Sequence, residues 1–118
     1  MQDQRLTISQ RQVNPDFLIL DFCGSMTSPF EQELENTTRE LRNSSHKNIA
    51  FNLTSVSCMD GAGVKLLFIL CVTLRKANRR LSAFGLNDEL RGIFQLTRMD
   101  AVLRICRDEL QLLEQGTA

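Results

Sequence analysis

Alternating apolar and polar positions open the chain and predict two paired strands. Residues 6–9, Leu-Thr-Ile-Ser, have the two-residue period of a strand with one wet face, which is typical of a sheet edge. The turn signal Asn-Pro-Asp follows at 14–16, and residues 17–22, Phe-Leu-Ile-Leu-Asp-Phe, predict a second strand that ends at Gly24. We expect the two strands to pair as a hairpin.

A helix with one apolar face is predicted next. Ser28 supplies a capping oxygen, Pro29 suits the first helical position and Glu31 completes a capping box. The apolar face comprises Phe30, Leu34 and Leu41. The polar run at 43–46 ends the helix, which should pack on the sheet with a solvated back.

Residues 49–53, Ile-Ala-Phe-Asn-Leu, form a short apolar run that predicts an interior strand. Because a whole helix separates this strand from the second one, the two should run parallel. A long apolar helix from Val64 and a fourth strand at 81–84 continue the alternation, and Gly85 opens the next turn.

The following segment predicts another helix and a short strand. Asn87 can cap a helix that ends at 97–100, and a last strand is expected at 101–105. The buried stripe of that helix is Leu90, Ile93 and Phe94.

A closing helix is predicted at 108–115, with Leu110 and Leu113 facing inward and Gly116 as its terminator. All these elements together predict an α/β fold in a single domain, residues 1–118. We expect a central mixed sheet of four to five strands packed with about four helices.

The helix from Val64 has almost no polar side, and a helical wheel divides its apolar residues into two sets. The set expected to face the sheet is Val64, Leu67, Phe68, Cys71 and Leu74. The outward set is Ile69 flanked by Leu66 and Leu70, with Lys65, Lys76 and Arg80 around them. Such a patch favours an interface with a partner helix or a second copy. The alternative is that the terminal segment from Asp108 folds over it.

Composition argues against two classes of partner. Of the 118 residues, 42% are hydrophobic and 24% are charged, which suits a folded globular chain. Fourteen Lys and Arg balance fourteen Asp and Glu, so no long-range field attracts nucleic acid or an anionic membrane. The longest apolar run, 64–74, is far shorter than the roughly twenty residues of a membrane span. The N-terminus lacks the apolar core of a signal peptide, so we expect a cytoplasmic protein without membrane insertion.

Few residues suggest catalysis or metal binding. His46 lies in a Ser-Ser-His-Lys loop, with no glycine-framed serine or cysteine to pair with it, and is interpreted as a surface residue. Asp21, Asp60 and Asp100 match no metal-binding loop. The basic run at 75–80 is assigned to the end of a helix dipole rather than to nucleic acid. We therefore predict that the protein is not an enzyme and has no cofactor or metal.

The cysteines are interpreted as small core residues, because none has the close spacing of zinc or redox motifs. They are Cys23, Cys58, Cys71 and Cys106. Cys58, in a predicted loop, is the one candidate for reactivity.

The corner Asp60-Gly61-Ala62-Gly63 admits two interpretations. Residues without large side chains at a helix start leave backbone N–H groups open to an anion such as phosphate, with Lys65 as the nearby cation. Alternatively, Asp60 caps the helix and the glycines let the backbone of another protein approach. The sequence favours the second interpretation, because no Gly-Lys-Ser/Thr phosphate loop is present.

Four segments of the chain together resemble the STAS domain, the fold of the bacterial anti-sigma factor antagonists. They are Ile-Ala-Phe-Asn-Leu-Thr at 49–54, Val-Ser-Cys-Met-Asp-Gly-Ala-Gly-Val at 56–64, Leu-Ser-Ala-Phe-Gly-Leu at 81–86 and Leu-Arg-Gly-Ile-Phe-Gln-Leu-Thr-Arg-Met-Asp at 90–100. The most specific parts are Met59-Asp60, Gly63 and residues 94–100, which resemble the family's Leu-Thr-Gly-Leu-Asp block. The resemblance covers nearly the whole chain.

The resemblance also implies a phosphorylation switch that this chain lacks. The family motif at the helix start is usually Asp-Ser-Ser/Thr-Gly, and a partner kinase that sequesters a sigma factor phosphorylates the serine after the aspartate. Here Gly61 stands at the serine position and Ala62 at the next, so neither residue accepts phosphate. Asn52 and Thr27 also replace carboxylates that the family commonly carries, which weighs against binding of the usual kinase. The hydroxyl residues left as alternative modification sites are Ser25, Thr27, Thr54, Ser55 and Ser57.

The resemblance and the exposed side of the apolar helix together predict a surface that docks a protein. We assign to this surface Gly24, Ser25, Thr27, Ser57, Met59, Asp60, Gly61, Ala62, Gly63, Lys65, Leu66 and Ile69. By resemblance, the partner is an anti-sigma factor or a serine kinase-like protein, and docking does not respond to phosphorylation at residue 61. A homodimer is a further possibility. The alternatives are a STAS accessory or scaffold subunit, such as a partner of a transporter ATPase, and a sensor of a small anionic ligand.

Overall fold

A computed structural model of the chain describes residues 5–27 and 30–116, with side chains as far as residue 114. Its strands are β1 (Thr7–Asn14), β2 (Phe17–Met26), β3 (Asn48–Met59), β4 (Arg80–Phe84) and β5 (Arg104–Cys106). Its α-helices are α1 (Glu31–Arg42), α2 (Gly61–Lys76), α3 (Asp88–Thr97) and α4 (Glu109–Gly116), with a 3-10 turn at Met99–Ala101. The predicted α/β fold is confirmed.

The strands form one mixed sheet in the order β1-β2-β3-β4-β5. β1 pairs antiparallel with β2, and each later neighbouring pair is parallel. The hairpin, the edge position of β1, the central position of β3 and its parallel pairing with β2 are all confirmed. The parallel order follows from the intervening helices, because each carries the chain back to the end of the sheet where the next strand starts.

The two faces of the sheet carry separate apolar layers. One layer joins the sheet to α1, α2 and α3, and it contains Phe22 and Phe51, whose rings meet edge to face at 5.6 Å. The smaller layer comprises Phe17, Ile19, Ala50, Phe84, Cys106 and Leu112. Leu112 belongs to α4, and successive strand residues point to opposite faces, so α4 covers the face opposite to α2.

β2 and β3 are longer than the sequence indicated. β2 does not end at Gly24 but continues to Met26, and β3 continues to Met59 through residues that have the composition of a loop. These strand ends pair with each other, for example Ser25 with Cys58, after an irregularity in the register. β4 and β5 do not accompany them, so the two strand ends project beyond the rest of the sheet and keep polar surfaces.

Two helices differ from expectation in their start or in their buried face. α1 begins directly after Phe30, whose carbonyl accepts the N–H of Leu34 at 3.1 Å, and the predicted capping pair at 28–29 lies outside the described residues. In α4 the inward role predicted for Leu110 is wrong, because that residue is 65% exposed and Leu112 is buried instead. Because this short helix has leucines at positions 110, 112 and 113, the sequence alone did not determine which of its sides is buried.

The segment after α3 is more compact than predicted. The cap of α3 is confirmed, since Asn87 Oδ1 accepts the N–H of Leu90 at 2.8 Å. Arg98 then ends the helix in the left-handed conformation, with φ of 62°. The 3-10 turn ends at Ala101, the first residue of the predicted strand, and β5 begins only at Arg104.

Candidate functional site

The candidate site is the corner where the ends of β2 and β3 meet the first turn of α2. The Asp60 N–H donates to the carbonyl oxygen of Met26 at 3.4 Å, which ties the start of the helix to the end of β2. Asp60 Oδ1 accepts the N–H of Gly63 at 2.8 Å. Asp60 is therefore the N-cap of α2, as predicted, and satisfies one of the free N–H groups of the first turn.

The two glycines of the corner have different environments. A Cβ on Gly63 would lie 1.8 Å from Met26 O and 3.1 Å from Met59 Cγ, so only glycine fits between the helix and the strand ends. A Cβ on Gly61 would have no neighbour within 4 Å. Gly63 thus serves the fold, whereas Gly61 and Ala62 are exposed and leave the helix start open to a partner.

An anion fits this corner less well than its glycines suggested. The carboxylate of Asp60 already receives the Gly63 N–H at the positive end of the helix dipole. A second anion at the same place would meet the negative charge of Asp60 at close range. The geometry therefore favours the interpretation in which Asp60 caps the helix.

Side-chain hydroxyl groups join the two projecting strand ends beside the corner. The Oγ atoms of Ser25 and Ser57 lie 3.2 Å apart, and Ser57 Oγ also donates to the carbonyl of Gly24 at 3.4 Å. The thiol of Cys58 donates to Ser25 Oγ at 3.5 Å. Thr27, half-buried, follows at the end of β2. The residues predicted around Gly24 and Ser57 are therefore brought together with the start of α2.

The outward side of α2 differs from the helical wheel by two residues. Ile69 is 47% exposed as predicted, and Leu66 is half-buried. Phe68, expected in the core, is 42% exposed, and Leu70, expected to face outward, is buried. The buried side is centred on Leu67, Leu70, Cys71 and Leu74 because Gly63 sets the first turn directly against β2.

The described terminal segment does not cover this side of α2. Leu112 of α4 packs on the opposite face of the sheet, and Ile69 stays exposed. The alternative in which the segment from Asp108 folds over α2 is therefore wrong. Phe68 and Ile69, with the exposed Lys65 beside them, form an apolar pair that leads away from the corner.

Asn52 does not belong to the corner, although its replacement of a family carboxylate suggested this. It lies opposite Asp21 in the sheet, and its Nδ2 donates to Asp21 Oδ1 at 2.7 Å. Arg11 Nη2 also donates to Asp21 Oδ1 at 3.0 Å, and the same group reaches Glu109 Oε1 at 2.9 Å. The hydrogen bond from Arg11 holds the pKa of Asp21 below its usual range, aided by Asn52 and opposed by partial burial. Sequence patterns gave no signal for this cross-sheet network.

The cysteines divide into a buried pair and a more accessible pair. Cys71 and Cys106 are core residues as predicted, and burial raises the pKa of the Cys71 thiol to about 12 and raises that of Cys106. Cys23 is exposed, so the prediction that it lies in the core is wrong. Cys58 is half-buried and lies in β3 rather than in a loop.

The residues considered for catalysis or a metal do not converge among the described positions. Asp21 binds Arg11, Asp60 caps α2, and Asp100 lies 3.6 Å from the guanidinium of Arg98. His46 is half-buried, with Nε2 at 3.2 Å from Gln12 Oε1. No group of three potential metal ligands occurs in the part of the chain that the structure covers.

Comparison with known proteins finds a matching family model and solved structures of similar fold. Residues 9–111 match the family model of the STAS domain. An anti-sigma factor antagonist from Mycobacterium paratuberculosis matches with a TM-score of 0.79 at 15% identity, covering 97% of this chain and 96% of that one. The anti-sigma factor antagonist SpoIIAA in its unphosphorylated form matches with a TM-score of 0.75 at 16% identity, covering 94% and 96%. No curated protein sequence matches the chain significantly.

The same fold also occurs within a membrane transporter. The murine anion transporter Solute Carrier 26 family member A9 matches with a TM-score of 0.73 at 12% identity, over 98% of this chain but 22% of the transporter. Identities this low show a shared fold and nothing further. In this chain, no helix among the described residues is long and apolar enough to cross a bilayer.

Proposed function

The chain belongs to the STAS domain family, and we propose that it is a regulatory module that acts by docking to another protein. STAS domains of the anti-sigma antagonist type are binding modules rather than enzymes. The observation that carries the proposal is the exposed apolar pair Phe68 and Ile69, about two helical turns beyond the open start of α2 at Gly61.

Energetics favour a partner over solvent at this place. Full burial of a large apolar side chain is worth about 1.5–3 kcal/mol, so covering the half-exposed Phe68 and Ile69 contributes roughly 1 kcal/mol each. Lys65 and Asp60 supply a polar rim on the side of the corner. The exposed and half-buried residues that the sequence assigned to the docking surface are retained in the proposal, and Phe68 joins them. Met59 and Gly63 are buried, so they support this surface from beneath.

We propose an anti-sigma factor or a serine kinase-like protein as the partner. SpoIIAA, whose fold this chain shares, is described as an anti-sigma factor antagonist in an unphosphorylated form and also in a phosphorylated form. In this chain the exposed positions Gly61 and Ala62 have no hydroxyl group that could carry phosphate. Docking would then continue whether or not the partner is an active kinase.

Affinity purification from the native cell tests the class of partner. The full chain serves as bait beside its Ile69→Glu variant, and an anti-sigma factor or kinase-like protein should be retained by the first and lost from the second. Recovery of no such protein by the wild-type bait, or equal recovery by both baits, would contradict the proposal.

Phosphate transfer tests the missing switch separately. The recovered kinase-like partner, or a kinase known to phosphorylate a related antagonist, is incubated with radiolabelled ATP and either the wild-type chain or Gly61→Ser. Space around residue 61 is open, so the serine should be accepted by the fold. We expect label in the variant and none in the wild type, and label on Ser25, Ser57 or another native hydroxyl would overturn the claim that the switch is absent.

A second candidate is an accessory role beside a transporter. The match to a domain of the murine anion transporter supports it, since a STAS fold there forms part of a membrane protein. The docking surface would be the same and the partner would differ. Specific recovery of a transporter subunit from the membrane fraction, instead of an anti-sigma factor, would favour this candidate.

A further inference from the structure

Arginine side chains from separate parts of the chain converge at the end of the sheet opposite to the docking corner. They line one cleft of about 400 Å³, formed by the last turns of α2, the starts of β4 and β5, and the 3-10 turn. The four arginines are Arg75, Arg79, Arg80 and Arg104. We propose that this cleft binds a small, multiply charged phosphate-bearing anion.

The charge of the cleft is poorly balanced by its own lining. Asp100 is the one acidic residue of that lining, and its carboxylate already lies 3.6 Å from the guanidinium of Arg98. The chain as a whole has equal numbers of acidic and basic residues, so this end concentrates positive charge that is compensated elsewhere. α1, for example, carries Glu31, Glu33, Glu35 and Glu40. A local excess of cations in a cleft raises the concentration of anions there.

The arginines divide into anchored and available groups. Arg79 donates to the carbonyls of Leu41 and Ser44 at 2.9 and 2.8 Å, so it contributes fixed charge rather than free donors. Arg75 reaches the carbonyl of Ala101 at 3.5 Å with one nitrogen only. Within the described residues, the guanidinium groups of Arg80 and Arg104 make no hydrogen bond or ion pair. Each of these two groups offers five N–H donors in the planar arrangement that suits phosphate oxygens.

The sheet directs the two available arginines to the same side. Ser82 of β4 pairs with Arg104 of β5, and Arg80 precedes Ser82 by two residues. Because side chains alternate along a strand, Arg80 and Arg104 project from the same face as Phe84 and Cys106, the face opposite to α2. They therefore line the cleft from one side of the sheet, and Arg75 and Arg79 line it from the side of α2. Two guanidinium groups on adjacent strands can bind different phosphate groups of one ligand.

The lining favours phosphate groups over a nucleobase or an apolar ligand. The uncharged side chains that line the cleft are small or aliphatic, and none of them is an aromatic ring on which a base could stack. The volume suits a small molecule rather than a duplex. The cleft also lies at the end of α2 opposite to Gly61, so its ligand would not compete for the docking corner.

Calorimetric titration of the full chain with inorganic tripolyphosphate at low salt tests the site. We expect saturable one-to-one binding that weakens as salt is added. The double variant Arg80→Gln/Arg104→Gln should bind at least about tenfold more weakly. The control Arg91→Gln/Arg107→Gln makes the same change in net charge at exposed residues outside the cleft, and it should stay within about twofold of wild type.

Two results would overturn the inference. One is no saturable binding of tripolyphosphate to the wild type, including the case in which only a short DNA duplex binds, since that would make the cleft a nucleic-acid contact. The other is an equal loss in both double variants, which would indicate general charge attraction. Neither result bears on the docking surface, because both double variants should still retain the protein partner.

Discussion

Gly63 lies directly against the carbonyl group of Met26, and this contact fixes where α2 begins on the sheet. A Cβ on residue 63 would be 1.8 Å from that oxygen, closer than any two such atoms approach. The same carbonyl accepts the N–H of Asp60. The end of β2 and the first turn of α2 are therefore held together. This contact determines which side of the helix faces solvent.

Gly63→Ala should destabilise the protein by about 2 kcal/mol or more, because the helix must shift away from β2 to make room for the methyl group. Gly61→Ala is the matched control two residues earlier in the same helical turn. Its new methyl group meets open space, and the loss of unfolded-state freedom should leave it neutral or stabilised by up to about 1 kcal/mol. Urea unfolding of both variants measures the difference. Equal stability of the two would show that the close contact is not needed.

Arg98→Gly should stabilise the protein by about 1 kcal/mol. Arg98 adopts the left-handed conformation at the end of α3, with φ of 62°, where a residue with a Cβ is strained and glycine is not. Among the residues that the structure describes, its side chain pairs with Asp100 alone, at an exposed place where such a pair adds little. Arg98→Ala, which loses the same pair but keeps the strain, is the control in thermal unfolding. If the glycine variant were no more stable than the alanine variant, the left-handed backbone at residue 98 would not be strained.

The ion pair of Asp21 with Arg11 should make stability depend on pH on the acid side. The pKa of Asp21 is lowered in the folded protein. As pH falls, the Asp21 carboxylate is therefore protonated in the unfolded chain before it is protonated in the folded protein. The contribution of the pair is complete above the ordinary Asp pKa of about 4 and is lost as pH falls from there through the folded pKa. Because Arg11 is 44% exposed, we expect at most about 1 kcal/mol at pH 7.

Unfolding of wild type and Arg11→Gln is compared across pH 2 to 7, a range of about five units, and the difference reports the loss of both ion pairs of Arg11, with Asp21 and with Glu109. The difference in unfolding free energy should be constant above about pH 5 and should shrink at lower pH. Asp108, whose pKa is lowered by the backbone N–H of Gln111, titrates in both proteins and cancels in the difference. A difference that grew on acidification would contradict the assignment.

Local sequence patterns predicted most of the fold because its elements are regular. Asn87 marks a helix start through a local hydrogen bond, and the apolar run at 49–53 identifies a central strand by composition. The strand ends at 24–26 and 57–59 were missed, because their residues are polar and pair only with each other beyond the main sheet. Such pairing depends on a contact between distant segments, which local composition does not encode.

The orientation of α2 was only partly predictable for a different reason. A helix that is apolar on nearly all sides gives a wheel with no clear direction, so Phe68 and Leu70 were exchanged between the core and the surface. The contact of Gly63 with β2 selects the orientation, and this contact appears only when the strands are in place. The convergence of Arg104 with the basic end of α2 likewise depends on tertiary structure.

The affinity of the purified partner for α2 surface variants tests the central claim most directly. Ile69→Glu places a charge in the middle of the proposed interface, and we predict that it weakens binding at least about thirtyfold, as expected for a central contact. Leu96→Glu makes the same kind of change at an apolar residue that is 87% exposed on α3, and it should leave the affinity within about twofold. Unchanged binding by Ile69→Glu, or equal weakening by both variants, would contradict docking through the exposed side of α2.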